Sequence, residues 1–226
     1  GSAIDAALVV SNADPKRTYL KLLPEAALDP EFRAAVAGIK MDGPCGKFNL
    51  VLSEEPRLVN EQPGSDALRR AQFTFVPWLE GAQAAYGEAR RARIAEELWI
   101  DCLVPSLVDD SLATPGRHVM TCFVQYLPYA LAGSDWSLER DRLEAQLVRQ
   151  VARFVPAVGR SVVAQRLYTP ADLESTFGIT EGNIFHGDLR PDQLFFMRPV
   201  PRHARYAAPV PALYLCGAGT HPGGGV

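Results

Sequence analysis

The run Leu213-Tyr214-Leu215-Cys216-Gly217-Ala218-Gly219-Thr220-His221-Pro222-Gly223-Gly224-Gly225 decides the reading of this 226-residue chain. Its first four residues form a compact apolar strand that runs directly into a glycine-rich turn, the arrangement by which backbone approaches a phosphate. A glycine has no Cβ, so it permits positive φ and lets its amide come close to pyrophosphate or sugar oxygens. A helix that would complete a phosphate site does not follow within the sequence given, which stops at Val226.

Working outward, Ala6-Ala7-Leu8-Val9-Val10-Ser11 is a second short apolar run, ended by Asn12-Ala13-Asp14-Pro15. Asp14 can cap a helix with Pro15 at its first position, so this end reads as a strand feeding a helix that stops before Pro24. A further helix is predicted over 30–38.

Between them, runs at 47–53, 71–76, 97–104, 117–126 and 162–168 contain β-branched or aromatic residues and read as strands. Pro63-Gly64 and Pro115-Gly116 supply turns, and 97–104 with 117–126 reads as a hairpin. Helices are predicted over 78–94 and 137–154, the second with Leu143, Leu147, Val151 and Phe154 on one face and Ser137 as its cap. Its Arg140, Arg142, Arg149 and Arg153 read as a solvated face. A short helix follows over 170–177, stopped by Gly178. The expected fold class is α+β, with one mixed β-sheet covered on one side by the two long helices.

Composition narrows the function classes. Apolar residues make up 47% of the chain and charged residues 22%, with a formal charge of −3. Those proportions exclude wholesale disorder, and the absence of a basic field argues against nucleic acid as a partner. No apolar run reaches the roughly 18 to 20 residues of a membrane helix. Cys45, Cys102, Cys122 and Cys216 stand far apart with no CxxC pair, so no metal site is expected and the thiols read as reduced.

The Leu213 run, together with Val9-Val10-Ser11-Asn12-Ala13-Asp14-Pro15, resembles the phytoene-desaturase-like family of FAD-dependent oxidoreductases. Gly182-Asn183-Ile184-Phe185-His186-Gly187-Asp188 and Gln193-Leu194-Phe195-Phe196-Met197-Arg198-Pro199 match the stretch ahead of that family's last flavin motif. Within it the chain looks most like the pyridine nucleotide-disulphide oxidoreductase domain-containing branch. The resemblance implies a fragment of a two-domain flavoprotein, whose two apolar end runs, both stubs of the flavin domain, would pair with each other as in a domain inserted into another. Residues 3–14 would be a stub of the FAD-binding domain, 15–206 the substrate-binding domain, and 207–226 the start of the C-terminal FAD-binding segment. No Gly-x-Gly-x-x-Gly precedes Gly217.

Carried over position by position, the resemblance puts Asn12, Ala13, Pro15, Gly217, Ala218, Gly224 and Gly225 beside FAD in the full-length parent. Ala218 stands where related amine oxidases commonly carry an acidic residue, so backbone contacts would have to serve. His186, Asp188, Gln193 and Arg198 are candidates for the substrate side, and no catalytic residue is assigned. The implied partner is a hydrophobic small molecule, for which Trp78, Tyr86, Trp99, Phe123, Tyr126 and Tyr129 are candidate lining residues. FAD is not expected to stay on this chain alone, and a cytoplasmic parent is expected, with the apolar stretch 127–131 a candidate for peripheral membrane contact.

Two other readings compete. One is a non-catalytic binding or assembly module with a flavoprotein-like fold. The other starts from His186-Gly187-Asp188-Leu189-Arg190-Pro191-Asp192-Gln193, which looks like the catalytic loop of aminoglycoside and choline kinases. Against it, Gln193 occupies the magnesium-binding asparagine position, and no second magnesium-binding aspartate follows on the Leu213 strand.

Overall fold

The structure, a computed structural model, describes residues 2–62, 65, 71–76 and 78–224. The Pro63-Gly64 turn and Gly225 lie outside the described residues. The chain divides into two compact units, one of Gly43–Asp172 and one of Gly1–Asp42 with Leu173–Val226. In the second of these, Tyr19, Phe32, Val36 and Ile39 share a single apolar cluster with Val200 and Leu215.

The unit that holds both chain ends begins with β1 (Val9–Ser11). It leads into α1 (Pro15–Arg17), where the Asp14 carboxylate accepts from the Arg17 amide at 2.9 Å and Pro15 fills the first position. The turn widens to a π-helix over Thr18–Leu22, and α2 (Pro30–Ala37) follows, capped by Asp29. Asp-Pro starts both helices because the aspartate satisfies free amides and proline has none to lose.

The Gly43–Asp172 unit is built on β2 (Gly46–Leu52), β3 (Phe73–Phe75), β4 (Trp99–Leu103), β5 (His118–Gln125) and β6 (Val162–Tyr168). They form one five-stranded sheet in the order β3-β4-β5-β2-β6, and every neighbouring pair is antiparallel. The sheet is therefore antiparallel throughout, not mixed. β5 and β6 do run the same way, joined through a helix, but β2 lies between them and opposes both, so no parallel pair forms hydrogen bonds.

Alternation along the strands sets two faces. Phe48, Leu50, Leu52, Ile100, Cys102, Met120, Cys122, Val124 and Leu167 are buried in one cluster. That cluster includes Ala85 of α3 (Leu79–Arg90) and Leu143, Leu147 and Val151 of α4 (Trp136–Ala152), so both long helices pack on the same face. The opposite face carries Lys47, Asn49, Trp99, Asp101, Thr121 and Phe123, all partly exposed.

Two expectations about α4 are corrected. Its cap is Asp135, whose carboxylate accepts from the Ser137 and Leu138 amides at 2.7 and 3.2 Å, while the Ser137 hydroxyl turns back to donate to the same oxygen. Arg140 is not part of a solvated face. Its guanidinium makes a bidentate pair with Asp172 at 2.8 and 3.0 Å and donates to the Leu167 carbonyl. Asp172 belongs to α5 (Pro170–Phe177), beyond which β7 (Leu213–Leu215) is the last strand.

Among the described residues no helix is long and apolar enough to cross a membrane. Within the apolar stretch 127–131, Leu127 is fully buried and Leu131 packs against the same cluster, while Ala130 is exposed.

Candidate functional site

β1 and β7 pair in parallel, Val9 opposite Leu213 and Ser11 opposite Leu215, so both strands deliver their following loops to the same end. The Cys216 amide donates to the Ser11 carbonyl at 2.9 Å, and the chain then turns at Gly217, whose φ is +85°. Thr220 closes that turn, its amide and hydroxyl both donating to the Gly217 carbonyl. The result is a cavity of about 310 Å³ walled by Cys216, Gly217, Ala218, His221, Gly223 and Gly224, with Tyr206 and Thr220.

Close approach explains two of the glycines. A Cβ on Gly219 would sit 2.5 Å from Pro15 Cδ and 3.2 Å from the His186 Cβ. One on Gly224 would sit 2.6 Å from Phe185 Cδ1. Neither position accepts a side chain without displacing its neighbours. The main-chain amides of Gly217, Ala218, Gly223 and Gly224 have no acceptor among the described residues. They are donors at the edge of a cavity, which is what an oxygen-rich ligand requires.

The site residues read from the sequence fall into three groups. Gly217, Ala218 and Gly224 line the cavity. Asn12 and Pro15 back it, Pro15 beneath Gly219 and Asn12 beside Gly217, while the Ala13 carbonyl accepts from the Thr18 hydroxyl at 3.2 Å. His186, Asp188, Gln193 and Arg198 do not line it.

Two of these four have their polar atoms committed to backbone. Gln193 clips Lys40 as a strand would, its Oε1 accepting from the Lys40 amide at 2.7 Å and its Nε2 donating to the Lys40 carbonyl at 2.9 Å. Arg198 is buried and donates from Nε to the Gln193 carbonyl at 2.7 Å. Its Nη2 reaches the carbonyls of Gly187 and Asp188 at 2.9 and 3.2 Å, and its Nη1 those of Phe185, at 2.5 Å, and Ala218. Burial pushes its pKa down and the Asp188 charge opposes that shift. Asp188 fixes the chain through its amide, which donates to the Lys40 carbonyl at 2.8 Å, and its carboxylate lies 3.9 Å from Arg190.

His186 is different. It sits in the left-handed region at φ +57°, and its Nδ1 is buried with no hydrogen-bond partner among the described residues. Burial lowers its pKa, with the Asp14 carboxylate opposing and the Arg198 charge adding to the shift. A neutral imidazole with one uncommitted nitrogen can donate or accept a proton from a ligand.

Asn183, fully buried, builds the turn that carries His186. Its Oδ1 accepts from the Phe185 and Gly187 amides at 3.0 and 3.4 Å, and its Nδ2 donates to the Met41 and Asp42 carbonyls. Asp14 does more than cap α1, since its carboxylate also accepts from the amide and hydroxyl of Thr180. Asn183 stood in a motif quoted above without a role, and an asparagine beside glycine in an irregular stretch is the signal for a side chain that satisfies its own backbone.

The aromatic candidates stand in different surroundings. Trp78 is 87% exposed, Tyr86 and Tyr126 pack edge to face at 5.2 Å, and Trp99 and Phe123 share the partly exposed face of the sheet.

Comparison with known proteins gives the site its kinship. Over 233 aligned residues the chain is 36% identical to pyridine nucleotide-disulfide oxidoreductase domain-containing protein 2 of Mus musculus, covering 100% of this chain and 40% of that protein. It is 29% identical to a lycopene-forming phytoene desaturase of Pseudescherichia vulneris, covering 100% of this chain and 43% of the desaturase. The resemblance read from the motifs holds along the whole chain.

An oxidoreductase from Methanosarcina mazei matches over 99% of this chain and 40% of its own, at 18% identity and a TM-score of 0.48. No family model matches. The chain thus spans about 40% of the length of the first of these relatives.

Proposed function

We propose that this chain is the substrate-binding portion of an FAD-dependent oxidoreductase or desaturase that removes hydride from a hydrophobic substrate, and that it is inactive alone. The observation that carries the reading is the glycine loop after β7, whose free amides edge a cavity at the end of a parallel strand pair. A flavin dinucleotide presents ribityl hydroxyls and pyrophosphate oxygens, all acceptors for such amides. The residues present fit that part of the group. Gly217, Ala218, Gly223 and Gly224 would hold it through backbone, with Pro15 and Asn12 as the floor.

When bound, the flavin would supply the hydride acceptor. The chain's own contribution is to place and shield it. His186 would offer its unpartnered Nδ1 as a proton donor or acceptor on the substrate side. Gln193 and Arg198 would act through the backbone they hold, not by touching substrate.

The test is flavin content. The purified full-length protein is expected to carry one FAD per chain, and the isolated 226-residue chain to be colourless, since the pyrophosphate also needs a helix N-terminus from the rest of the parent. A full-length protein that binds no flavin would sink the cofactor assignment. Stoichiometric flavin on the isolated chain would sink the reading of it as a part.

A further inference from the structure

We propose that Arg198 is the positioning residue of the glycine-lined cavity: it locks the 217–224 loop to the 185–193 segment and sets a fixed positive charge behind the cavity wall. The clamping half stands on the geometry alone; the electrostatic half rests on the flavin reading above.

A guanidinium has five N–H donors in a rigid planar fork. Here every one goes to a main-chain carbonyl, with Nη1 shared between Ala218 of the cavity loop and Phe185 of the facing segment. That nitrogen bridges the two, next to the Phe195 amide, which donates to the Pro222 carbonyl at 3.0 Å. The side chain also passes two glycines: its Nε lies 3.7 Å from where a Cβ on Gly223 would be, with Leu194 Cδ2 nearer at 2.9 Å, and its Nη2 lies 3.6 Å from that on Gly187, with Ile39 Cγ2 nearer at 3.3 Å. Ala218 and Gly223 both line the cavity, so the cation stands directly behind its wall.

A clamp of this shape has no need of a net charge, and burying one is unfavourable. No carboxylate is among its hydrogen-bond partners in the described residues. The charge that acts on it is the Asp188 carboxylate, which itself lies 3.9 Å from Arg190. The cation's field therefore reaches the cavity, where it favours whichever redox state of a bound group carries more negative charge. Lysine keeps the charge but has three donors and no fork; glutamine keeps hydrogen bonding and loses the charge.

Arg198→Lys and Arg198→Gln in the full-length protein separate these roles. In flavin-stripped protein, amide hydrogen exchange over 217–224 and 185–188 is expected to quicken in both variants; unchanged protection in both overturns the clamp. This measurement stands even where wild-type protein proves to hold no flavin, an outcome that would overturn the functional reading and the electrostatic half together.

In flavin-loaded protein, affinity is expected to fall roughly ten- to hundredfold in both variants, the scale for losing charged hydrogen bonds. The flavin midpoint potential should move negative in Arg198→Gln and stay near wild type in Arg198→Lys. A merely structural arginine would move the potential equally in both or in neither, and either result overturns the electrostatic half.

Discussion

The two compact units solve the same problem by different means. In Gly43–Asp172, backbone groups are satisfied within a five-stranded ladder and a 17-residue helix, and periodic apolar side chains then fill one face. In the unit holding the chain ends, long stretches are irregular, so buried polar side chains must satisfy the backbone one group at a time. Asp14, Asn183, Gln193 and Arg198 do this. The lesson is that a core position tolerates apolar side chains of similar volume, whereas a backbone-satisfying position tolerates only a side chain with the same donors and acceptors in the same places.

The largest effect should come from the regular unit. Leu147 is fully buried between α4 and the sheet, so Leu147→Ala is expected to destabilise by roughly 2 to 5 kcal/mol in a denaturant melt. Val10→Ala, at a position 57% exposed on β1 in the isolated chain, should change stability by less than about 0.5 kcal/mol. Equal costs at the two positions would break the contrast between them.

A second prediction sharpens the contrast. Asn183→Ala keeps the volume small and removes an amide that serves the Met41 and Asp42 carbonyls and the Phe185 and Gly187 amides. The expected cost is roughly 2 to 3 kcal/mol, with faster exchange confined to 185–188. Asn183→Leu should be no better, because it restores apolar bulk and no hydrogen bonds. A leucine that rescued the alanine would show that packing, not backbone satisfaction, holds this turn.

These differences also explain what was legible beforehand. β6 spans the residues expected, and β2, β4 and β5 fall within one or two residues of their predicted bounds, because alternation is a local signal. The sheet's antiparallel pairing was not local, since it depends on β2 inserting between β5 and β6. The pairing of β1 with β7 was expected from the family resemblance, two apolar runs about 200 residues apart being otherwise unconnected. The glycine loop was visible as composition. That Arg198 and Gln193 spend their side chains on backbone was not, because carbonyls that converge from 185–193 and 218 leave no pattern in the sequence.

The glycines give a third pair. Gly219→Ala would drive a methyl to 2.5 Å from Pro15 Cδ, and overpacking of that kind costs about 1 to 3 kcal/mol. Gly87 lies within α3, where an added Cβ meets nothing nearer than Arg91 Nη1 at 3.5 Å. Gly87→Ala should therefore stabilise by up to about 1 kcal/mol through helix propensity. Thermal melts of the two variants should shift in opposite directions; a shared sign would mean that Gly219 has room its neighbours do not show.

The smallest effect concerns charge in the regular unit. Burial alone would raise the Asp172 pKa, but the Arg140 hydrogen bonds and charge, with the amide and hydroxyl of Thr169, outweigh it and hold the carboxyl below its ordinary 3.8. A carboxylate depressed in the folded state contributes stability that is fully present above its unfolded pKa and is lost as pH falls through its folded one. The window therefore lies at and below about pH 4 to 5, and nothing from this pair should change between pH 6 and 8. Both side chains keep close to a third of their surface in contact with solvent, so the contribution is on the order of 1 kcal/mol. Asp172→Asn should lower stability by about that amount at neutral pH and narrow its gap to wild type as the solution is acidified toward pH 3. A gap that stayed constant over that range would show that Asp172 holds Thr169 and Arg140 by hydrogen-bond geometry and not by charge.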